Sequence, residues 1–387
     1  MLRGVIDPEL GSNLVDLGMV TGTPIVHPTG DIEITVTLTI AGCPLRGQIQ
    51  KDIRSRLEPY SGVGKVKIHW GEMTAEQRSE VMSKARWNAA QNAADTQVPA
   101  STKIIAIASG KGGVGKSSVT VNLAAALAAQ GRTIGVLDAD IWGFSVPRLL
   151  GLSDRLEALA DPSEPAGSKP KIIPNERRVG SGLLKVVSTG FLVDEETALM
   201  WRGLMLAKAV EQFLHDVRWG EMDYLLIDMP PGTGDVQMGL ARMLPRTEMI
   251  IVTTPAVAAQ KVAVRAADMA RRSFLRIAGV IENMSAFTCD HGETYALFGT
   301  GGGQALADEI GVPLLGQVPL EPAVAAGGDS GEPVSLAGDG PAAKVFRQIA
   351  QLIVSEAVPP AQMSICTNRM DLPESAPISL GRKPVSL

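Results

Sequence analysis

Residues 110–117 read GKGGVGKS, a complete G-x-x-x-x-G-K-[ST] pattern. An apolar run, IIAIAS, precedes it and an Ala-rich stretch, SSVTVNLAAALAAQ, follows it. That strand–loop–helix context is what the pattern needs to hold the phosphates of a nucleoside triphosphate. Its glycines let the backbone curl so that successive N–H groups face phosphate oxygens, and the helix dipole adds positive potential there. The candidate nucleotide contacts are therefore Gly110, Lys111, Gly112, Gly113, Val114, Gly115, Lys116, Ser117 and Ser118. Lys116 can reach the β- and γ-phosphates, and the Ser117 hydroxyl is placed to ligate Mg²⁺.

Carboxylates recur at two strand ends, where an open α/β sheet puts its ligand crevice. Asp138 and Asp140 lie in VLDADIWG, and Asp228 ends the apolar run of YLLIDMPPGTGD. An apolar strand closing on Asp is the pattern that holds Mg²⁺ through water, and the Gly-rich PPGTGD suits a segment that senses the γ-phosphate. Each Asp also has a plainer use, as a helix N-cap or turn residue.

Alternating short β-branched runs and helical stretches must position these groups. Strands are predicted at 104–109, 133–138, 185–188, 224–228, 249–254, 277–282 and 314–319, with helices between most of them. Right-handed crossovers then give an α/β fold, a doubly wound, mostly parallel sheet. Ahead of it, 31–40 and 63–70 read as strands, and Leu45, Ile49, Ile53 and Leu57 mark one helical face. Residues 1–73 are thus expected to form a small α+β domain. A helix opening with the capping box of Thr74 and Gln77, then a linker, fills 74–102. The ATPase domain spans 103–357, with 154–180 as a surface excursion, and 358–387 reads as a disordered tail.

The chain has 387 residues, 45% hydrophobic and 20% charged, which excludes a wholly disordered or collagen-like chain. A formal charge of −5 argues against a basic body built to grip nucleic acid. Cys43, Cys289 and Cys366 are too few and too scattered for a disulfide framework and suit a reducing cytosol. No run is apolar enough for a signal peptide or membrane span, so a soluble, cytoplasmic protein without membrane or nucleic-acid partners is expected.

KGGVGKSS carries a second lysine, Lys111, and so resembles the deviant Walker A group that includes MinD, ParA and the nitrogenase iron protein. The resemblance implies a homodimer in which Lys111 reaches the partner's nucleotide, much as an arginine finger does. The plainer reading is a solvated lysine. It also implies that Asp140 orients or deprotonates the attacking water while Asp138 supports the metal. DADIWG, the stretch from MWRG to PPGTGD, VTTP at 252–255, ENMS at 282–285 and FGTGGG at 298–303 extend the likeness. Together they resemble the Mrp/ApbC family of ATP-binding iron–sulfur cluster carriers. The family implies that Asn283 hydrogen-bonds adenine. DPEL, VDLG and TLTIAGCP resemble the PaaD/SufT-like domain that often precedes this ATPase, with Cys43 as its reactive position or as an inert buried thiol.

One departure stands out. Relatives that bind clusters usually carry C-x-x-C after ENMS, whereas this chain has Cys289 followed by Asp290, His291 and Gly292. A dimer then offers two cysteines, to which two copies of His291 could add ligands, as His replaces Cys in some clusters; a turn cysteine and an exposed histidine are the alternative. His27, His69 and His215 fall in unrelated segments and receive no metal role. Three functions follow: a carrier that hydrolyses ATP and passes iron–sulfur clusters from donors to apoproteins, an ATP-dependent adaptor without its own cluster, or a MinD/ParA-like positioning ATPase.

Overall fold

The computed structural model describes residues 1–7, 10, 12–39, 46–91, 95–140, 143–160, 169–191, 203–232, 235–273 and 275–360. Its first unit holds β1 (Val20–Val26), β2 (Ile32–Leu38), α1 (Arg46–Leu57), β3 (Val66–Glu72) and α2 (Ala75–Gln91). β2 is central, antiparallel to β1 and parallel to β3. The predicted face of α1 buries Ile49, Ile53 and Leu57 against Ile34, Val36 and Leu38 of β2; Leu45 lies outside the described residues, as does Cys43. The capping box forms, since Gln77 N–H donates to Thr74 Oγ1 at 3.3 Å and Thr74 N–H to Gln77 Oε1 at 3.0 Å. α2 sends Val81 and Ala85 into this same core. β1 escaped the sequence reading because Gly22 and Pro24 break its alternation, and its register to β2 shifts between Thr21 and Ile25.

The segment before the second unit is fastened to it. Gln97 N–H donates to Leu214 O at 2.8 Å, Val98 is buried, and Arg246 Nη2 donates to Val98 O and Pro99 O at 3.1 and 2.7 Å.

The second unit begins with β4 (Lys103–Ser109), α3 (Lys116–Ala129), β5 (Thr133–Asp138) and α4 (Val146–Leu149). Short strands β6 (Glu157–Leu159), β7 (Lys171–Ile173) and β8 (Asn175–Val179) precede β9 (Gly182–Ser188). Then come α5 (Gly203–Asp216), β10 (Tyr224–Asp228), α6 (Asp235–Met243), β11 (Glu248–Thr253) and α7 (Val257–Arg272). The remainder is β12 (Arg276–Thr288), β13 (Thr294–Tyr295), α8 (Gly302–Ile310), β14 (Leu314–Leu320), α9 (Pro322–Ser330), α10 (Val334–Ala337) and α11 (Pro341–Leu352). The sheet runs β13-β12-β11-β4-β10-β5-β9-β8, with β14 also on β12. All pairings are parallel except β8–β9 and β12–β13. Strands buried on both faces explain why β4, β10 and β11 read as continuous apolar runs. α3, α4 and α11 cover one face, and α5, α6, α7 and α8 the other.

Two expectations change. The 154–180 excursion includes strand β8, whose charged Glu176, Arg177 and Arg178 suit a sheet edge. Val358 belongs to the core: it is buried and its carbonyl accepts Tyr224 Oη–H at 2.8 Å. Residues 361–387, with Cys366, lie outside the described residues. Among the described residues no helix is long and apolar enough to cross a membrane.

Candidate functional site

Parallel register brings the two carboxylate strands together: Asp228 of β10 stands beside Asp138 of β5 and Ile107 of β4. The loop between β4 and α3 arches over these strand ends, with Gly113 and Gly115 at φ +80° and +77°, a conformation glycine adopts without strain. Gly110 lacks the Cβ that would collide with the α7 backbone at Val262 and Ala263. Gly115 leaves room for Asn283, whose Nδ2 would stand 2.3 Å from a Cβ there.

Lys116 is 6% exposed and its Nζ sits 2.7 Å from Asp228 Oδ1 and 3.8 Å from Asp140 Oδ2. Asp228, wholly buried, also accepts Ser117 Oγ–H on Oδ2 at 2.5 Å and Thr120 Oγ1–H on Oδ1 at 2.9 Å. Thr120 is a member that the motif does not contain; being one helical turn beyond Lys116, it shares its face. These residues fit a hydrated Mg²⁺ on chemical grounds, because a hydroxyl and a carboxylate meet beside a cationic amine where phosphates would lie.

Asp138 faces differently. Its Oδ1 accepts Asp140 N–H at 3.2 Å, and its Oδ2 accepts Ser145 N–H, Val146 N–H and Ser188 Oγ–H at 3.2, 3.3 and 3.1 Å. It therefore ties Asp140 and the start of α4 to the end of β5. Burial, then the charge of Asp228, pushes its carboxyl up from 3.8 to about 7. Burial also raises Asp140, against the pull of Lys116, and a carboxylate so raised is a better proton acceptor.

The Asp138 shift has a sign. From about pH 4 to about pH 7 the native chain keeps a proton that the unfolded chain has lost, so the stabilisation is full below that window and is lost through it. Asp138→Asn cannot ionise. Thermal melts of nucleotide-free protein are expected to show the parent losing Tm relative to this variant between about pH 4 and about pH 7. Parallel curves would remove this titration.

Lys111 is exposed and has no ion-pair partner among the described residues. Asn283 is buried at the C-terminal side of the sheet and donates Nδ2–H to Val114 O at 2.9 Å. A carbonyl accepts only from the amide nitrogen, so Asn283 keeps its Oδ1 acceptor and a second Nδ2–H for a ligand. The family resemblance implies a base contact here; the hold on the loop is what the fold adds.

Cys289 starts the turn between β12 and β13 and is half-buried. Its N–H donates to Glu293 O, and Gly292 N–H to Cys289 O, both at 2.9 Å. A second thiol three residues on would fall at Gly292, whose φ of +82° disfavours any side chain. His291 is exposed beside it. Among the described residues no group of three or more His, Cys, Asp or Glu could hold a metal within one chain. In the first unit His27 and His69, distant in sequence, meet on Glu33: their Nε2 atoms are 3.6 and 2.9 Å from its oxygens.

Residues 100–354 match the model of the NUBPL iron-transfer P-loop NTPase family, and residues 1–70 that of an iron–sulfur cluster assembly protein. The chain is 42% identical over 360 residues to an iron–sulfur cluster carrier protein of Mycobacterium leprae, covering 90% of each chain. It is 39% identical to one of Deinococcus radiodurans, covering 97% of each. A nucleotide-binding protein from Archaeoglobus fulgidus, solved with ADP, superposes at TM-score 0.51 and 34% identity over 63% of this chain and 91% of that one. The septum site-determining protein MinD of Pyrococcus horikoshii, at 24% identity and TM-score 0.50 over 68% and 100%, shares the fold.

Proposed function

The chain belongs to the family of NUBPL-type iron-transfer P-loop NTPases, joined to an iron–sulfur assembly domain, and on that premise we propose that it binds and hydrolyses ATP to carry iron–sulfur clusters to apoproteins. The observation that carries this reading is the convergence of Lys116, Ser117, Asp140 and Asp228 on one phosphate loop. Lys116 exchanges its partner Asp228 for the β- and γ-phosphates. Mg²⁺, held by Ser117 and through water by Asp228, would neutralise charge on the phosphates. Asp140 takes a proton from the attacking water; the new O–P bond forms as the bond to ADP breaks, and phosphate leaves. Turnover is expected to be slow, as suits a switch.

A homodimer is part of the reading. Val257, Tyr295, Leu297 and Phe298 are exposed, and Gly299, next to Phe298, and Gly302 approach Pro255 two residues before Val257. Such a patch favours a second copy, and the exposed Lys111 then reaches across to the partner's nucleotide. Cys289 supplies thiolate to the cargo from each copy, with His291 beside it. The protein works in the cytoplasm between cluster donors and apoproteins, with neither membrane nor nucleic acid as partner.

Base choice rests on Asn283. Its Oδ1 suits the amino group of adenine and repels the carbonyl of guanine. Asn283→Ala is expected to cut the preference for ATP over GTP by about tenfold, as lost recognition of one hydrogen-bonded group does; competition binding with both nucleotides measures it, and an unchanged ratio rejects the assignment.

Gly292 in place of a second thiol favours a second reading, an ATP-dependent adaptor whose delivery runs through Cys43. Anaerobic reconstitution with iron and sulfide separates the two. Retained iron that is lost in Cys289→Ser but not in Cys43→Ala supports the carrier; a parent that retains no iron, with transfer to an apoprotein lost only in Cys43→Ala, supports the adaptor.

A further inference from the structure

β12 joins the phosphate loop to the Cys289 turn in a single run of chain, and its residues divide that run into an anchor, a sensor and an arm. The anchor is Glu282, buried, whose carboxylate accepts Gly303 N–H at the start of α8 and Gln317 Nε2–H from β14. The sensor is the next pair. Asn283 grips the carbonyl of Val114, and the Met284 methyl would lie 3.5 Å from a Cβ on Gly115, so both rest on the loop that wraps phosphate. Met284 has φ +58° and is the sole non-glycine residue with positive φ among the described residues. An L side chain crowds its own backbone there and stays only where its surroundings impose the conformation. At this point the register of β12 to β14 slips, between Asn283 and Phe287. The arm, residues 285–289, then runs out past the slip to the β13 pairing and the Cys289 turn. At about 3.3 Å per residue it is roughly 15 Å long, so a backbone rotation at its base swings its tip.

We propose that Met284 is a positioning residue whose left-handed kink, seated on Gly115 beside the Asn283–Val114 bond, ties the attitude of the Cys289 turn to nucleotide occupancy of the phosphate loop. Phosphate drawn into the loop moves the backbone on which Asn283 and the Met284 methyl rest. The kink is the point at which that movement turns the arm, because Glu282 holds the strand just before it. The inference takes its purpose from the carrier reading, since Cys289 is the cargo's thiol there, but its test uses no cluster.

Alkylation of Cys289 by N-ethylmaleimide in the reduced, metal-free full chain, quantified on the Cys289 peptide by mass spectrometry, reads the attitude of the turn. Rates are compared without nucleotide and with saturating Mg-ADP or a non-hydrolysable ATP analogue. The parent is expected to change rate by about fivefold or more on binding, the low end of ordinary coupling between sites. Met284→Gly keeps the positive φ without its cost and removes the methyl seat; it should bind nucleotide yet give the same rate in all states. Met284→Asn, which also tolerates this conformation, should behave likewise, and Met284→Leu should restore the response. A parent rate indifferent to bound nucleotide overturns the proposal, as does a glycine variant that responds as the parent does, which would mark simple shielding by a second copy. Failure of the carrier reading shows elsewhere, as a reconstituted chain that retains no iron.

Discussion

Lys116→Ala is expected to abolish measurable ATP binding. The amine is buried, 2.7 Å from one carboxylate and 3.8 Å from another, and its removal acts twice. The phosphates lose a charge-assisted donor, and they must enter a pocket in which Asp140 and Asp228 no longer have a countercharge. Breaking a buried ion pair by deleting one partner costs about 3–5 kcal/mol, so affinity should fall by about 100-fold or more. Isothermal titration calorimetry with Mg-ATP measures the effect; binding within about tenfold of the parent would show that the backbone amides alone hold the phosphates.

Asp140→Ala separates binding from chemistry. Asp140 is 13% exposed on its side chain and stands 3.8 Å from Lys116 Nζ, farther than Asp228 at 2.7 Å, so its loss leaves the Lys116–Asp228–Ser117 cluster intact. Binding should persist and even tighten, since one negative charge leaves the phosphate pocket. Turnover should fall by about 10²–10⁴, the usual worth of a positioned general base. Asp140→Asn should be equally slow, because an amide keeps the shape but accepts no proton. Phosphate release under single-turnover conditions is the measurement, and a parent-like rate in either variant would reassign the water-activating role.

The phosphate loop, Asp228 and the parallel sheet were legible because they are local: an apolar strand, a fixed Gly and Lys spacing, and a helix in one run of residues. The family likeness read from those motifs agrees with the match over residues 100–354. What sequence spacing hid is what register creates. Asp138 and Asp228 are ninety residues apart, yet they share a row on neighbouring strands, and their mutual repulsion exists only in the folded sheet. Thr120, Ser188 and Glu282 joined the site the same way, through faces that three-dimensional pairing defines. β12 extends six residues past its predicted end, because Asn283, Ser285 and Thr288 interrupt the apolar run and conceal a strand that leaves the buried sheet for its edge. His27 and His69 looked unrelated until β1, β2 and β3 set them around Glu33.

Nucleotide-controlled carriage is tested most directly by transfer itself. The anaerobically reconstituted parent and its Lys116→Ala variant are mixed with an apoprotein that gains activity on receiving a cluster, with and without Mg-ATP. The expected result is retained iron and sulfide in both proteins, with a transfer rate that ATP changes in the parent and leaves unchanged in the variant. Equal rates in all four mixtures would contradict nucleotide control, and a parent that emerges from gel filtration without iron would contradict carriage.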